Sequence, residues 1–145
     1  MAIEVERRFL VCDPKRAIAA GIIIDCARIR QGYFGQVNGL KLRVRIMLDA
    51  GGHSSAILTY KGPRRGICRG EYDTPLALDV AEQALSTLPP SQIIRKRRFR
   101  VRHRDGFVWS VDSFEGPNAG LVIAEIELAY PTQILGIIYL TPSAG

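Results

Sequence analysis

The stretch LKLRVRI, residues 40–46, alternates apolar and basic side chains without a break. Successive side chains of a β-strand point to opposite faces, so this stretch predicts a strand with one apolar face and one basic face. The segment KRRFRVR, residues 96–102, repeats the pattern with bases at every even-numbered position. Solvated strand faces usually mix in threonine, serine and glutamine. A strand face that carries only bases therefore indicates that these side chains face something other than bulk water.

Acidic side chains follow the same rule near the two ends of the chain. Glu4 and Glu6 share one strand face, and Glu125 and Glu127 share another. The charges are thus sorted by strand, with acids on the first and last strands and bases on the third and sixth. Each face taken singly could also be the solvated side of a half-buried sheet. Closing the sheet with the charges inward would instead give a tunnel that carries both signs.

Turn and helix signals divide the sequence into about eight strands and two helices. Asp13-Pro14 predicts a helix to about residue 20, and a second begins at residue 74 or 79 and runs through residue 88, before Pro89-Pro90. Asp105-Gly106 and Ala50-Gly51-Gly52 mark hairpin turns. Strands are predicted over residues 3–11, 26–34, 40–48, 55–62, 67–73, 93–102, 107–114 and 121–128. The expected fold is mainly β (α+β): an eight-stranded antiparallel closed β-barrel with flanking helices.

Composition narrows the class of protein and its partners. The 145 residues suit one domain, with 47% apolar and 23% charged residues. No apolar run approaches the roughly 18 residues of a membrane helix, and the charged start MAIEVERRFLV does not resemble a signal peptide. We expect a soluble cytoplasmic protein that has no membrane partner and whose three cysteines are free. The net charge of +6 predicts an anionic partner and leaves nucleic acid, polyphosphate and nucleotide open.

A tunnel with both signs of charge suits a linear triphosphate. The molecule is flexible and carries about four negative charges, and rows of arginine and lysine can hold its oxygens. Mg²⁺ is usually held by one or two carboxylates together with substrate phosphates, which fits the four acids named above. The bases that share inward faces are Lys41, Arg43, Arg45, Lys96 and Arg98.

With these residues in view, the chain resembles the triphosphate tunnel metalloenzymes, or CYTH superfamily, over about residues 1–130. The segment EVERR at residues 4–8 corresponds to the family's ExExK motif. No single motif is specific, but their order and spacing together are. The other matching motifs are RQGYF (30–34), LKLRVRI (40–46), TYKGP (59–63), RGEYD (69–73), KRRF (96–99), WSVDSFEG (109–116) and GLVIAEIEL (120–128).

The resemblance implies an eight-stranded tunnel that uses Mg²⁺ or Mn²⁺ to hydrolyse a triphosphate, with inorganic tripolyphosphate as the expected substrate. The family's metal-binding acids match Glu4, Glu6, Asp112, Glu125 and Glu127. Its phosphate-binding bases match Arg8, Arg43, Arg45, Lys61, Arg69, Lys96 and Arg98, and Lys41 shares their parity. Glu71 and Asp73 match further acidic tunnel positions. The residues predicted to act in catalysis are Glu4, Glu6, Lys61 and Glu71.

Other functions remain as alternatives. Thiamine triphosphatase, nucleoside triphosphatase and adenylate cyclase activities belong to the same superfamily. A basic RNA-binding barrel without catalysis is an alternative from another class, because residues 95–104 contain seven bases. Acids at matching strand positions argue against it, since carboxylates repel phosphate unless a metal intervenes. Nucleic acid is therefore not the expected partner.

Two features depart from the family pattern. Arg8 stands where the motif has lysine, which should preserve anion binding but not a role that needs a compact ammonium. The C-terminal end is atypical or truncated after about residue 130, and residues 134–140 are nearly all apolar. We expect this run to form a ninth strand or an exposed patch. The patch would favour a homodimer and a higher metal requirement.

Overall fold

The computed structural model describes residues 2–37, 39–66, 68–128 and 140–142, and these contain nine β-strands and two α-helices. The helices are α1 (Pro14–Ala19) and α2 (Leu78–Ser86). The strands are β1 (Ala2–Val11), β2 (Ile22–Val37), β3 (Leu40–Asp49), β4 (Ser54–Lys61), β5 (Cys68–Leu76), β6 (Ile94–Arg102), β7 (Val108–Phe114), β8 (Val122–Glu127) and β9 (Leu140–Pro142). None of the helices in the described ranges could cross a membrane.

The strands form one antiparallel sheet that closes on itself. Its order is β5-β4-β3-β2-β6-β7-β8-β1-β9, and a further pairing between β1 and β5 closes the first eight strands into a barrel. Residues 2–5 of β1 pair with β5, and residues 6–10 pair with β8. The predicted eight-stranded closed barrel with two helices is therefore confirmed.

The apolar core lies outside the barrel, on the faces opposite to the charges. One buried cluster joins Val101, Trp109, Ala124 and Ile126 on the outer surface of β6, β7 and β8, and the partly buried Ile18 of α1 packs against it. A second cluster packs α2 onto β3 and β4. Full burial of a leucine or valine side chain contributes roughly 1.5–3 kcal/mol, so these outer clusters supply the main stabilisation of the fold. The prediction of charges inward and apolar residues outward holds.

Local sequence explains how the helices are placed. The Asp13 side chain accepts a hydrogen bond from the Arg16 backbone N–H at 3.1 Å and caps α1 at its N-terminus. Gly32 lies on the outer face of β2 beneath α2 and its following turn, where an added Cβ would overlap Leu88 and crowd Leu85. The missing side chain thus lets the apolar side chains of this region approach the barrel closely.

Several strand bounds differ from those expected. β2 begins at Ile22 rather than residue 26, because it pairs with β6 from that point onward. β5 continues through Leu76, which pairs with Ala56 of β4, and α2 consequently begins only at Leu78. Long-range pairing extended both strands beyond their local alternation. Of the apolar run at residues 134–140, only Leu140 lies within the described residues, where β9 pairs with β1.

Candidate active site

A cavity of about 540 Å³ fills the interior of the barrel. Its wall includes eleven charged side chains, and all but Arg100 are among the predicted site residues. They are Glu6, Arg8, Arg43, Arg45, Lys61, Glu71, Lys96, Arg98, Arg100, Glu125 and Glu127. These charged side chains come from six different strands and share one space.

The basic wall of the cavity is formed by Arg43 and Arg45 on β3 and by Lys96 and Arg98 on β6, with β2 between these two strands. Arg45 donates from Nε to Oε1 of Gln31 on β2 at 2.7 Å. Arg43 donates to the Thr59 hydroxyl oxygen at 3.2 Å. These bonds hold the guanidinium groups in place, and both side chains line the cavity.

Crowding of these cations changes their proton affinities. Burial lowers the pKa of Lys96 to about 8, because the attraction of Asp112 offsets it only in part and Arg98 and Arg45 add repulsion. Burial, together with repulsion from Arg43 and Arg98, lowers the pKa of Arg45 to about 9. The cations of the basic wall thus repel one another, and a bound polyanion would reduce this repulsion.

Asp112 lies within this basic wall. It is 1% exposed, and it accepts hydrogen bonds from Arg98 Nε at 2.8 Å and Arg98 Nη2 at 2.9 Å. Lys96 Nζ lies 2.7 Å from its Oδ2. Burial alone would raise the pKa of Asp112, but Arg98 and then Lys96 lower it, so the carboxylate is ionised. The structure places Asp112 with the bases, and its expected role as a metal ligand stays a prediction.

The acidic wall is formed by β1 and β8, across the barrel from the basic wall in the strand order. Glu6 stands directly opposite Glu127 in the register of these strands, and Arg8 stands opposite Glu125. Like charges at directly opposed positions repel each other. Glu4 precedes Glu6 by two residues, and its backbone pairs with that of Arg69 on β5; its side chain lies outside the described part of the structure.

Arg8 is a base among these acids. Its Nε lies 3.1 Å from Glu125 Oε1, and its Nη2 lies 3.4 Å from Glu6 Oε1. Partial burial by itself would lower the pKa of Arg8, but Glu125 and then Glu6 outweigh it and raise the pKa. The guanidinium therefore neutralises part of the acidic wall.

The remaining predicted residues divide between the cavity and its edge. Lys61 Nζ lies 3.5 Å from Glu71 Oε2, and both side chains line the cavity. Arg69 instead donates two hydrogen bonds to the Gly62 carbonyl, at 3.1 and 3.0 Å, and is not part of the lining. Lys41 is exposed near the start of β3 and also lies outside the lining.

Sequence reasoning missed several polar groups of the site. Gln31 and Tyr33 line the cavity from β2, and Ser110 lines it from β7. Arg100 lines it from β6, on the face that the alternation of residues 96–102 predicted to be basic. Gln31 and Tyr33 lie two residues apart in the RQGYF stretch, so the parity rule could have found them. Thr59 is fully buried and donates to Asp73 Oδ1 at 2.7 Å, which links that acid to the basic wall.

Glu6 and Glu127 form a donor set that suits a divalent cation shared with a phosphate chain. Within the described side chains, no group of three or more histidines, cysteines or acids could hold a metal ion by itself. Mg²⁺, however, usually takes only one or two carboxylates and completes its shell with water and substrate phosphates. Two neighbouring carboxylates facing a basic wall therefore fit such an ion.

A closed barrel whose inner wall is basic on one side and acidic on the other is the site expected of an enzyme that binds a phosphate chain inside a tunnel. No family model matches the chain. The inorganic triphosphatase of Acetivibrio thermocellus is 38% identical over 129 residues, which cover 88% of this chain and 76% of that protein. The chain therefore belongs to the triphosphate tunnel metalloenzyme, or CYTH, superfamily, and it is a hydrolase for which the family implies a divalent metal.

Solved structures show the same fold at lower identity. The PH1819 protein of Pyrococcus horikoshii matches with a TM-score of 0.69 at 21% identity, covering 89% of this chain and 80% of its own. The inorganic triphosphatase NE1496 matches with a TM-score of 0.62 at 21% identity, covering 95% of this chain and 86% of its own. These two structures confirm the barrel fold, and the 38% identical relative confirms the resemblance seen in the sequence motifs.

Proposed function

We propose that this protein hydrolyses a linear triphosphate, inorganic tripolyphosphate, with Mg²⁺ or Mn²⁺ as cofactor. The observation that carries the proposal is the opposition of a basic and an acidic wall in the cavity of one closed barrel. The name of the relative from Acetivibrio thermocellus supports the choice of inorganic triphosphate.

The basic wall binds the phosphate chain in this proposal. Arg43, Arg45 and Arg98 offer planar donors for phosphate oxygens, and Lys96 adds a point charge. Hydrolysis of a phosphoric anhydride depends mainly on positioning and charge neutralisation, so a covalent nucleophile is not required. Lys61 and Glu71, which lie together in the cavity, are proposed to act at the reacting end of the chain.

The acidic wall holds the metal. Glu6 and Glu127, with Glu4 and Glu125 of the same strands, are the proposed ligands. A bound divalent cation would supply neutralisation of phosphate charge and a water of lowered pKa. Asp112 is engaged with Lys96 and Arg98, so we propose that it acts mainly by holding those bases in place.

The distribution of bases on β6 argues against a nucleic-acid binder. Lys96 and Arg98 point into the cavity, whereas Arg95 and Arg97 have the opposite parity and are exposed. The strand therefore does not present one continuous basic surface to a nucleic acid. The proposed partner is a small triphosphate compound.

A phosphate-release screen tests the proposal. Tripolyphosphate, ATP, thiamine triphosphate and pyrophosphate should each be offered with Mg²⁺ and with Mn²⁺. Tripolyphosphate should give the highest kcat/KM, and EDTA should abolish release. Binding of RNA that weakens with salt but ignores EDTA, without any phosphate release, would favour the RNA-binding alternative.

We also propose that the protein works in the cytoplasm as a single domain and self-associates. Cys26 and Cys68 are free thiols, which supports a reducing compartment. Ile22, Ile23 and Ile24 are consecutive exposed side chains, the first of them 70% exposed, which supports an apolar contact surface. Light scattering should give twice the monomer mass of 16.1 kDa at high concentration; a monomer mass would contradict self-association.

A further inference from the structure

We propose that Arg8 serves as an internal counter-ion of the acidic wall, and that it must leave Glu6 and Glu125 when metal and triphosphate bind. In the free protein its guanidinium occupies the place where the metal would be needed. Metal and triphosphate would then bind with strong positive coupling. The inference rests on the proposed function and adds that Arg8 couples the binding of metal to the binding of triphosphate.

The contacts of Arg8 carry the first step. Its two nitrogen contacts, at 3.1 Å to Glu125 and 3.4 Å to Glu6, join carboxylates that lie on different strands. Glu6 is also the residue that stands directly opposite Glu127. One guanidinium therefore bridges two of the three acids that line this wall.

The other cavity bases have different partners. Lys96 and Arg98 pair with Asp112, Lys61 lies beside Glu71, and Arg100 lies 3.9 Å from Asp25. Among the ion pairs described in the structure, those that involve Glu6 and Glu125 are made by Arg8. A cation that binds Glu6 and Glu125 would have to compete with it.

Triphosphate offers Arg8 an alternative anion. Arginine binds phosphate through paired N–H donors, and Arg8 is only partly buried, so its side chain can turn toward the cavity. Once it does so, the carboxylates are available to a cation that the phosphate chain also attracts. Thermodynamic linkage then requires metal to strengthen triphosphate binding by the same factor.

Direct measurement of Mn²⁺ binding by electron paramagnetic resonance tests this without any turnover. Mn²⁺ alone should bind weakly to the wild type and about tenfold or more tightly to Arg8→Ala and Arg8→Gln, while Arg8→Lys should fall between them. Arg100→Ala is the matched control, because it removes the same charge from the cavity without touching Glu6 or Glu125. Its Mn²⁺ affinity should stay within about threefold of the wild type.

Coupling is measured by repeating the titration with the methylene-bridged analogue of tripolyphosphate, which resists hydrolysis. The analogue should strengthen Mn²⁺ binding at least tenfold in the wild type and much less in Arg8→Ala. Equal Mn²⁺ affinities for Arg8→Ala, Arg8→Gln and Arg100→Ala would overturn the inference. Phosphate release by the wild type would in that case still support the proposed function. A wild type that binds no Mn²⁺ even with the analogue and releases no phosphate would overturn both.

Discussion

Replacement of Asp112 by asparagine should destabilise the empty protein strongly. The change keeps the size of the side chain but removes the anion that Arg98 and Lys96 contact at 2.7–2.9 Å inside the barrel. Loss of one partner from a buried ion pair costs about 3–5 kcal/mol, because it leaves uncompensated charge. We expect the free energy of unfolding to fall by about 3 kcal/mol, since Lys96 can lose its proton and so avoid part of that cost.

The protonation of Lys96 gives this loss a defined pH dependence. Its pKa is lowered to about 8 from the usual 10.5, so the cost of its burial is fully present below pH 8 and disappears as the pH rises toward 10.5. Without Asp112 the pKa should fall further. The stability of Asp112→Asn should therefore begin to recover at a lower pH than that of the wild type.

Thermal unfolding with and without tripolyphosphate is the appropriate assay, in the absence of metal. A loss of about 3 kcal/mol corresponds to a decrease in Tm of roughly 6–12 °C for a chain of this size. Tripolyphosphate should restore more stability to the variant than to the wild type, because it replaces the missing anion. Asp25→Asn is the control: its contact with Arg100 is 3.9 Å long and half-exposed, and its loss should be nearly neutral.

The opposite result would support the metal role that the sequence resemblance implies for Asp112. An empty Asp112→Asn protein as stable as the wild type, combined with a raised metal requirement, would refute the reasoning from the buried contacts. A variant that is destabilised but not rescued by tripolyphosphate would show that Asp112 organises the barrel without holding the phosphate-binding bases.

Three further predictions concern the two walls. Glu127→Gln should abolish phosphate release yet leave the Tm equal or higher, because it removes repulsion with Glu6; near-normal turnover at saturating Mg²⁺ would contradict the metal assignment. Arg45→Ala should weaken tripolyphosphate binding at least tenfold, which titration calorimetry measures. The free energy of unfolding should change by only about 1 kcal/mol in thermal unfolding, because the loss of repulsion between cations offsets the loss of the hydrogen bond to Gln31. Tripolyphosphate binding should take up protons near pH 8 and weaken above it as Lys96 loses its charge; equal heats in buffers of different ionisation enthalpy would exclude such uptake.

The sequence by itself determined which residues share a face and where the chain turns. The alternation of LKLRVRI put Arg43 and Arg45 on one side of β3, because side chains of a strand repeat every two residues whatever the strand packs against. The Asp13 cap and the Asp105-Gly106 turn are equally local, and both occur where they were expected.

Only the tertiary structure decided which charges meet. Arg69 has the same parity as Glu71, yet it lies outside the cavity lining and binds the Gly62 carbonyl, because position along the barrel depends on the stagger between strands. Asp112 faces Lys96 and Arg98 through the register of β6 with β7, and Glu6 meets Glu127 through the pairing of β1 with β8. These pairings join distant parts of the chain, and no local period of the sequence specifies their register.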